Sequence, residues 1–203
     1  MIKLIIKRLL FTFAFIITLP LIVPTWVEAV LTNNKSELFF EVGKELAAIV
    51  PTVLGRYIRL AYYKSVCTEV AFDVSMLLGS MIAHRDTTIR RGTVIGTYTI
   101  IGYAEIGENV IVGARVSVVS GKYQHGRPDQ RANKNGIEKQ YTKINIGANS
   151  WLGEGSIIMA DVGANCTVGA GSVVLKEVPN NATFMGNPAR KVSFEKHQYE
   201  QIK

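Results

Sequence analysis

Histidine and cysteine are scarce in this 203-residue chain, which has three of the first and two of the second. A structural zinc site needs Cys and His in closely spaced pairs. Cys67 and Cys166 stand about a hundred residues apart with no CxxC between them, so a zinc module and a disulfide framework are both excluded, and the two are read as buried, reduced thiols. Charge is also scarce, at 19% of residues against roughly 25% in an average domain. No Lys/Arg run is dense enough for nucleic acid. The net charge is nevertheless +7, a surplus that suits an anionic membrane surface or a phosphorylated small molecule.

Apolar residues are plentiful, at 48% with a mean hydropathy of +0.18, and unevenly spread. After Lys3, Lys7 and Arg8, an uncharged run from Leu9 to Val27 is nearly the ~20 residues a spanning helix needs. Three readings fit residues 1–31. They form a signal peptide with a poor cleavage site at Val27-Glu28-Ala29, a single spanning helix, or a monotopic or re-entrant anchor bent back at Pro20 and Pro24. Residues 32–66 read as amphipathic helices. Leu38, Phe39, Val42, Leu46, Ile49 and Val50 recur at helical spacing and Pro51 interrupts them. The stretch from Gly55 to Lys64 mixes Tyr and Arg, which suits either a headgroup-level helix or a cap on the next domain.

From Ile89 the chain repeats in sixes: Ile89, Ile95, Ile101, Ile106, Val112 and Val118, then Ile146, Leu152, Ile158, Val162, Val168 and Val174. Gly usually follows the aliphatic, and a small or β-branched residue sits four places on. A helix has period 3.6 and does not tolerate glycine this often. A period of six suits a short strand plus a tight turn, and three such rungs close a triangular coil of roughly 18 residues that stacks on its neighbours. The period is broken once, by an insert over 121–143 that carries His125.

The hexad [Ile/Leu/Val]-Gly-x-x-small-x resembles the hexapeptide-repeat acyltransferases, over roughly residues 80–192. That resemblance implies a mainly β fold, a left-handed parallel β-helix over 67–192, with the membrane-associated helical segment before it and a polar tail over 193–203. It also implies a homotrimer with sites between subunits, and acetyl-CoA as co-substrate without a metal. A sugar hydroxyl becomes a nucleophile only when a base removes its proton, and imidazole titrates in the right range. The resemblance makes the loop histidine, His125, that base, although Lys122, Tyr123 and Gln124 separate it from the loop glycine, whereas in better-known members the histidine follows directly. His84 and Asp86 at the entry to the first coil, with Lys122 and Tyr123, are the expected acceptor contacts. His84 serves equally as a polar cap, and Asp129 could orient His125 or pair with Arg127 or Arg131.

Trp151 and Gly153 resemble the family's Trp-Ile-Gly rung beside the cofactor, although a subunit contact would use the same outward indole. Ala170 and Gly171 resemble the last coil along the pantetheine arm, and Lys176 and Arg190, the latter in Gly186-Asn187-Pro188-Ala189-Arg190, are expected near the 3′-phosphate. Sequons at Asn165 and Asn181 are read as chance. The function expected is O-acetylation of a cell-surface polysaccharide or its lipid-linked precursor at the cytoplasmic face of a bacterial inner membrane, where acetyl-CoA is present. The partners are then a glycan and the membrane, with no nucleic acid. The alternatives are acetylation of a small soluble acceptor such as an antibiotic or amino acid, a zinc hydratase on the same solenoid, for which the histidines are badly spaced, and a non-catalytic scaffold.

Overall fold

The computed structural model describes residues 2–121 and 141–193. Among these residues sixteen short strands wind into a three-faced parallel solenoid of five complete coils and part of a sixth. The first face holds β1 (Glu69–Val70), β4 (Thr88–Ile89), β7 (Ala104–Ile106) and β10 (Ile144–Ile146). The second holds β2 (Ser75–Met76), β5 (Val94–Ile95), β8 (Ile111–Val112), β11 (Trp151–Leu152), β13 (Thr167–Val168), β15 (Thr183–Met185) and β16 (Arg190–Val192). The third holds β3 (Met81–Ile82), β6 (Ile100–Ile101), β9 (Ser117–Val118), β12 (Ile157–Ile158) and β14 (Val173–Val174). All pairings are parallel except β15 with β16, which folds back across the far end.

The aliphatic that opens each hexad points inward. Ile89, Ile95, Ile101, Ile106, Leu152, Ile158 and Val168 are fully buried, each contributing about 1.5–3 kcal/mol by leaving water. The register starts earlier than the glycine pattern suggests. Val70, Met76 and Ile82 form a first coil at the same spacing of six, but Ala71, Leu77 and Ala83 stand where later coils have Gly, so the motif is hidden there.

Glycine after the aliphatic lets successive coils stack in contact. A Cβ on Gly147 would lie 2.3 Å from the Ala164 nitrogen, and one on Gly96 2.4 Å from the Gly113 carbonyl carbon. Both obstacles are backbone, so Gly147→Ala is expected to destabilise by about 1–3 kcal/mol, as overpacking does, read as a lowered thermal midpoint. The small residue four places on bonds from coil to coil. The hydroxyls of Thr93, Thr99 and Ser150 donate to the carbonyls of Gly107, Gly113 and Gly163 in the next coil. Between the first and second faces Asn109, Asn149, Asn165 and Asn181 adopt φ of 55–59°, which asparagine tolerates better than most residues. Their side-chain amides bond along the axis at 3.3, 3.2 and 3.1 Å.

Three helices cover the first coil: α1 (Ile2–Thr32), α2 (Leu38–Ile49) and α3 (Thr52–Val66). A reversal at Pro20 and Pro24, one of the three readings of this segment, does not occur, and α1 continues through both as one helix. It is held to two corners of the coil. Phe11 packs edge-on to Phe72, ring centres 4.9 Å apart, and Glu28 pairs with Arg85 at 2.8 Å, both buried. Glu28 also accepts from Ser36 Oγ and from the backbone N–H of Phe39 and Phe40 at the start of α2. Burial alone would raise its carboxyl, but the Ser36 hydroxyl and the N–H groups of Phe39, Phe40 and Leu38 hold it below its ordinary value.

The other end of α2 is tied to a third corner by Gly79 N–H donating to Ala48 O. Arg59 of α3, 1% exposed, donates to Ala47, Ala48 and Val50 carbonyls and to Met76 O in the solenoid. In α3 Leu60, Ala61, Tyr62 and Tyr63 are buried, and the Tyr63 hydroxyl accepts from Ile82 N–H at 3.1 Å. The opposite side of the layer is apolar and exposed. In α2 the stripe is Leu38, Val42, Leu46 and Ile49.

Candidate functional site

Every departure from the period of six falls on one edge of the solenoid, between the third and first faces. The step there is seven residues from Ile82 to Ile89, five from Ile101 to Ile106, and four from Ile158 to Val162 and from Val174 to Val178. The insert leaves from this edge between the third and fourth coils. Three close contacts fix its roots. Ser120 is buried and its hydroxyl accepts from Tyr103 N–H at 2.9 Å. Thr142 N–H donates to Ser120 O at 3.0 Å, and Ile144 N–H donates to Tyr103 O at 3.0 Å. Gly121 turns the chain outward with φ 87°, and a Cβ there would meet Thr142 at 2.8 Å. His125, Lys122 and Tyr123 lie beyond these roots, outside the described residues, as do Asp129 and His197.

His84 occupies the same edge at the first coil. Its ring is 4.4 Å from Tyr141, on the returning limb of the insert, and 6.3 Å from Tyr103, centre to centre. Lys143 Nζ lies 5.4 Å over the Tyr103 ring. His84 thus belongs to an aromatic cluster at the foot of the arm. Asp86, two residues on, does not join it. Its carboxylate accepts from Thr68 Oγ1 at 3.5 Å and lines a separate cavity of about 230 Å³ with Arg85, Glu37 and the end of α1. Cys67 lines that cavity too, and burial pushes its thiol up.

Beside the arm's roots lie two adjoining hollows that the sequence did not disclose. One of about 250 Å³ is lined by Gly121, Thr142, Met159, Asp161 and Glu177. It shares Asp161 and Glu177 with a second of about 420 Å³, which also has Glu105, Asn145 and Asn180 in its wall. The Asp161 carboxylate is held by Asn145, which donates its N–H at 2.8 Å and its side-chain amide at 3.2 Å. The available signal was the shortened rung Ile158-Met159-Ala160-Asp161, whose tight corner turns Asp161 outward.

The residues expected beside the cofactor gather elsewhere. Trp151 stands on the outer second face, 47% exposed, paired in register with Ile111 and Thr167. Gly153, Ala170 and Gly171 follow at the edge between the second and third faces. A Cβ on Gly153 would sit 2.4 Å from the Ala170 nitrogen, whereas at Gly171 the open space leaves only its φ of 67° to require glycine. Arg190 is exposed on β16, the outermost strand of Trp151's sheet. Lys176 does not join them, because it follows β14 and lies on the arm's edge. Sequence reasoning missed Arg115. It is an exposed cation on the edge of Gly153 and Gly171, at φ 56° where neighbouring coils have Gly155 and Gly171. The arm's foot and the Trp151 group therefore occupy different edges of the chain.

Comparison with protein-family models gives no match, and none of the curated proteins matches. Solved structures do align with the chain. The acetyltransferase domain of PglB from Neisseria gonorrhoeae aligns at 19% identity with a TM-score of 0.46, covering 59% of this chain and 48% of that one. PerB from Caulobacter crescentus, in complex with CoA and GDP-perosamine, aligns at 19% identity and TM-score 0.45, covering 75% and 66%. A maltose O-acetyltransferase from Clostridium difficile aligns at 22% identity and TM-score 0.44, covering 87% of each. The chain thus spans about half the length of the first of these.

Proposed function

We propose that this chain is an acyl-CoA-dependent O-acetyltransferase that moves acetyl from acetyl-CoA to a hydroxyl of a membrane-associated glycan or its lipid-linked precursor. One observation carries the reading: an otherwise closed hexad solenoid is opened once, by a histidine-bearing arm rooted beside an acidic hollow. The Asp161 and Glu177 carboxylates and the Asn145 amide suit a ligand rich in hydroxyl donors, and they repel phosphate. The hollow is therefore the acceptor's, and His84 lies apart from it at the arm's foot.

In this scheme His125 takes the proton from the acceptor hydroxyl as its oxygen attacks the thioester carbonyl. A backbone N–H holds the oxyanion. The carbon–sulfur bond then breaks, and the imidazolium returns its proton to the CoA thiolate. The cofactor lies along the other edge. Gly153, Ala170 and Gly171 let the pantetheine arm approach backbone amides, Trp151 flanks it, and Arg115, with Arg190, meets its phosphates in charge-assisted bonds. Because the two groups sit on different edges, the complete site forms between copies. A closed homotrimer places each arm against its neighbour's cofactor edge. Acetyl-CoA supply puts the site on the cytoplasmic face. The exposed apolar helical layer has no use in an enzyme for a soluble acceptor, which favours the membrane-bound one.

Mass spectrometry of surface glycans from cells carrying wild type or His125→Ala tests this. Loss of one acetyl group from one glycan supports it, and an unchanged profile together with no acetyl-CoA turnover by the purified chain refutes it. Arg115→Gly gives a second check. Because glycine adopts φ 56° freely, the variant is expected to be as stable as wild type or more so, by up to about 1 kcal/mol. Its KM for acetyl-CoA is expected to rise about tenfold, as loss of one charge-assisted contact implies.

A further inference from the structure

We infer that α1 is neither a bilayer span nor a cleavable leader, but lies flat in one leaflet with α2, as a monotopic platform under the solenoid. The inference deepens the membrane reading above and rests on it for the choice of lipid. Among the described residues α1 is the one helix long and apolar enough to cross a membrane, over Ile5–Thr32, so composition alone invites the opposite conclusion. The contacts do not allow it. A spanning helix leaves the protein body and crosses ~30 Å of hydrocarbon. Phe11 and Glu28 are both docked on the first coil, at Phe72 and Arg85, the two ends of the first face. Between them Ala14, Thr18, Ile22 and Thr25 form the buried stripe. The helix is packed along α3 and α2 for most of its length, and at both ends it touches the first coil.

Cleavage after Ala29 is excluded by the same contacts. It would detach Glu28, whose carboxylate caps the start of α2 and neutralises the buried Arg85. A buried charge stripped of its partner is strongly destabilising.

The occupant of the outer side follows from its extent. Leu9, Ile16, Val23 and Val30, seven residues apart and so on one face, are 65%, 59%, 46% and 81% exposed. Phe13, Ile17 and Val27 widen that face on either side. Only every third or fourth residue is buried. A second copy covers one side of a helix, whereas an arc this wide needs a fluid apolar medium. Arg8 and Lys35, both exposed, stand at its two ends, where long basic side chains reach anionic headgroups.

Depth measurement tests the platform without reference to catalysis. Leu9→Cys, Ile16→Cys, Val23→Cys and Val30→Cys, each in the full chain carrying Cys67→Ala, are spin-labelled and reconstituted in vesicles of phosphatidylethanolamine and phosphatidylglycerol. Relaxation by oxygen and by a water-soluble nickel chelate gives each depth. All four positions are exposed, so labelling leaves the docked side intact. The platform predicts one shallow depth, equal within about 5 Å at every position. A progression of about 30 Å from Leu9 to Val30, which is 1.5 Å per residue, would show a span and overturn the inference. So would four water-exposed labels, or an intact mass showing a chain shortened at Ala29. Equal depths in a chain that transfers no acetyl would remove the catalytic reading and keep the platform.

Discussion

Replacing His125 with alanine is expected to lower acetyl transfer from acetyl-CoA by about 10²–10⁴-fold, the range for loss of a general base, with CoA affinity unchanged. A hydroxyl is a weak nucleophile until it loses its proton. The acidic hollow beside the arm supplies hydrogen-bond acceptors, but Asp161 is already committed to Asn145. The loss should fall on kcat and leave the KM for acetyl-CoA alone, because the edge proposed for the cofactor belongs to other residues. It should ease as pH rises and hydroxide substitutes for the missing base. A variant with full kcat would assign the proton transfer to another group. His84, tilted against Tyr141 at the arm's foot, would be the first to replace.

The largest effect on stability is expected at Arg59. Arg59→Met keeps the side chain's length and removes the guanidinium, leaving the Ala47, Val50 and Met76 carbonyls without this donor in a buried setting. A lost donor costs about 1–3 kcal/mol for each buried acceptor left unsatisfied, so a total of about 3–5 kcal/mol is expected, seen as a lowered and broadened unfolding transition. The carbonyls at the end of α2 carry the negative end of its dipole, which is why a cation stands there and a neutral side chain cannot replace it. Arg59→Lys should recover part of the loss, since one ammonium can reach some of these acceptors but lacks the fork that meets all of them. If Arg59→Met unfolds like wild type, the helical layer is held by its apolar contacts alone.

The solenoid was the most legible part of the sequence because its cause is local. One inward aliphatic and one close-packed glycine per rung are dictated by geometry that repeats, so Ile89 to Val174 could be read directly. The first coil escaped because Ala71, Leu77 and Ala83, not glycine, follow Val70, Met76 and Ile82. The path of α1 was not legible, since prolines that break an isolated helix are carried here by a helix docked along its side. Nor could the sequence show that Lys176 and Trp151 fall on different edges. That depends on where each corner is shortened, and Asp161 and Arg115 were missed for the same reason. A short rung and a non-glycine residue at positive φ leave little trace in one sequence.

The stacking of coils also acts as a ruler. Parallel strands repeat every ~4.8 Å, and the arm departs between the third and fourth coils, so its root stands about 10–14 Å above the first. The helical layer adds roughly another 10 Å. On the platform proposed above, sunk some 5–10 Å into a leaflet, the arm's root would stand about 10–20 Å over the lipid surface. A hydroxyl met at that height belongs to a sugar held well off the bilayer by its linkage, and each coil added or removed below the arm would retune the reach by one strand spacing.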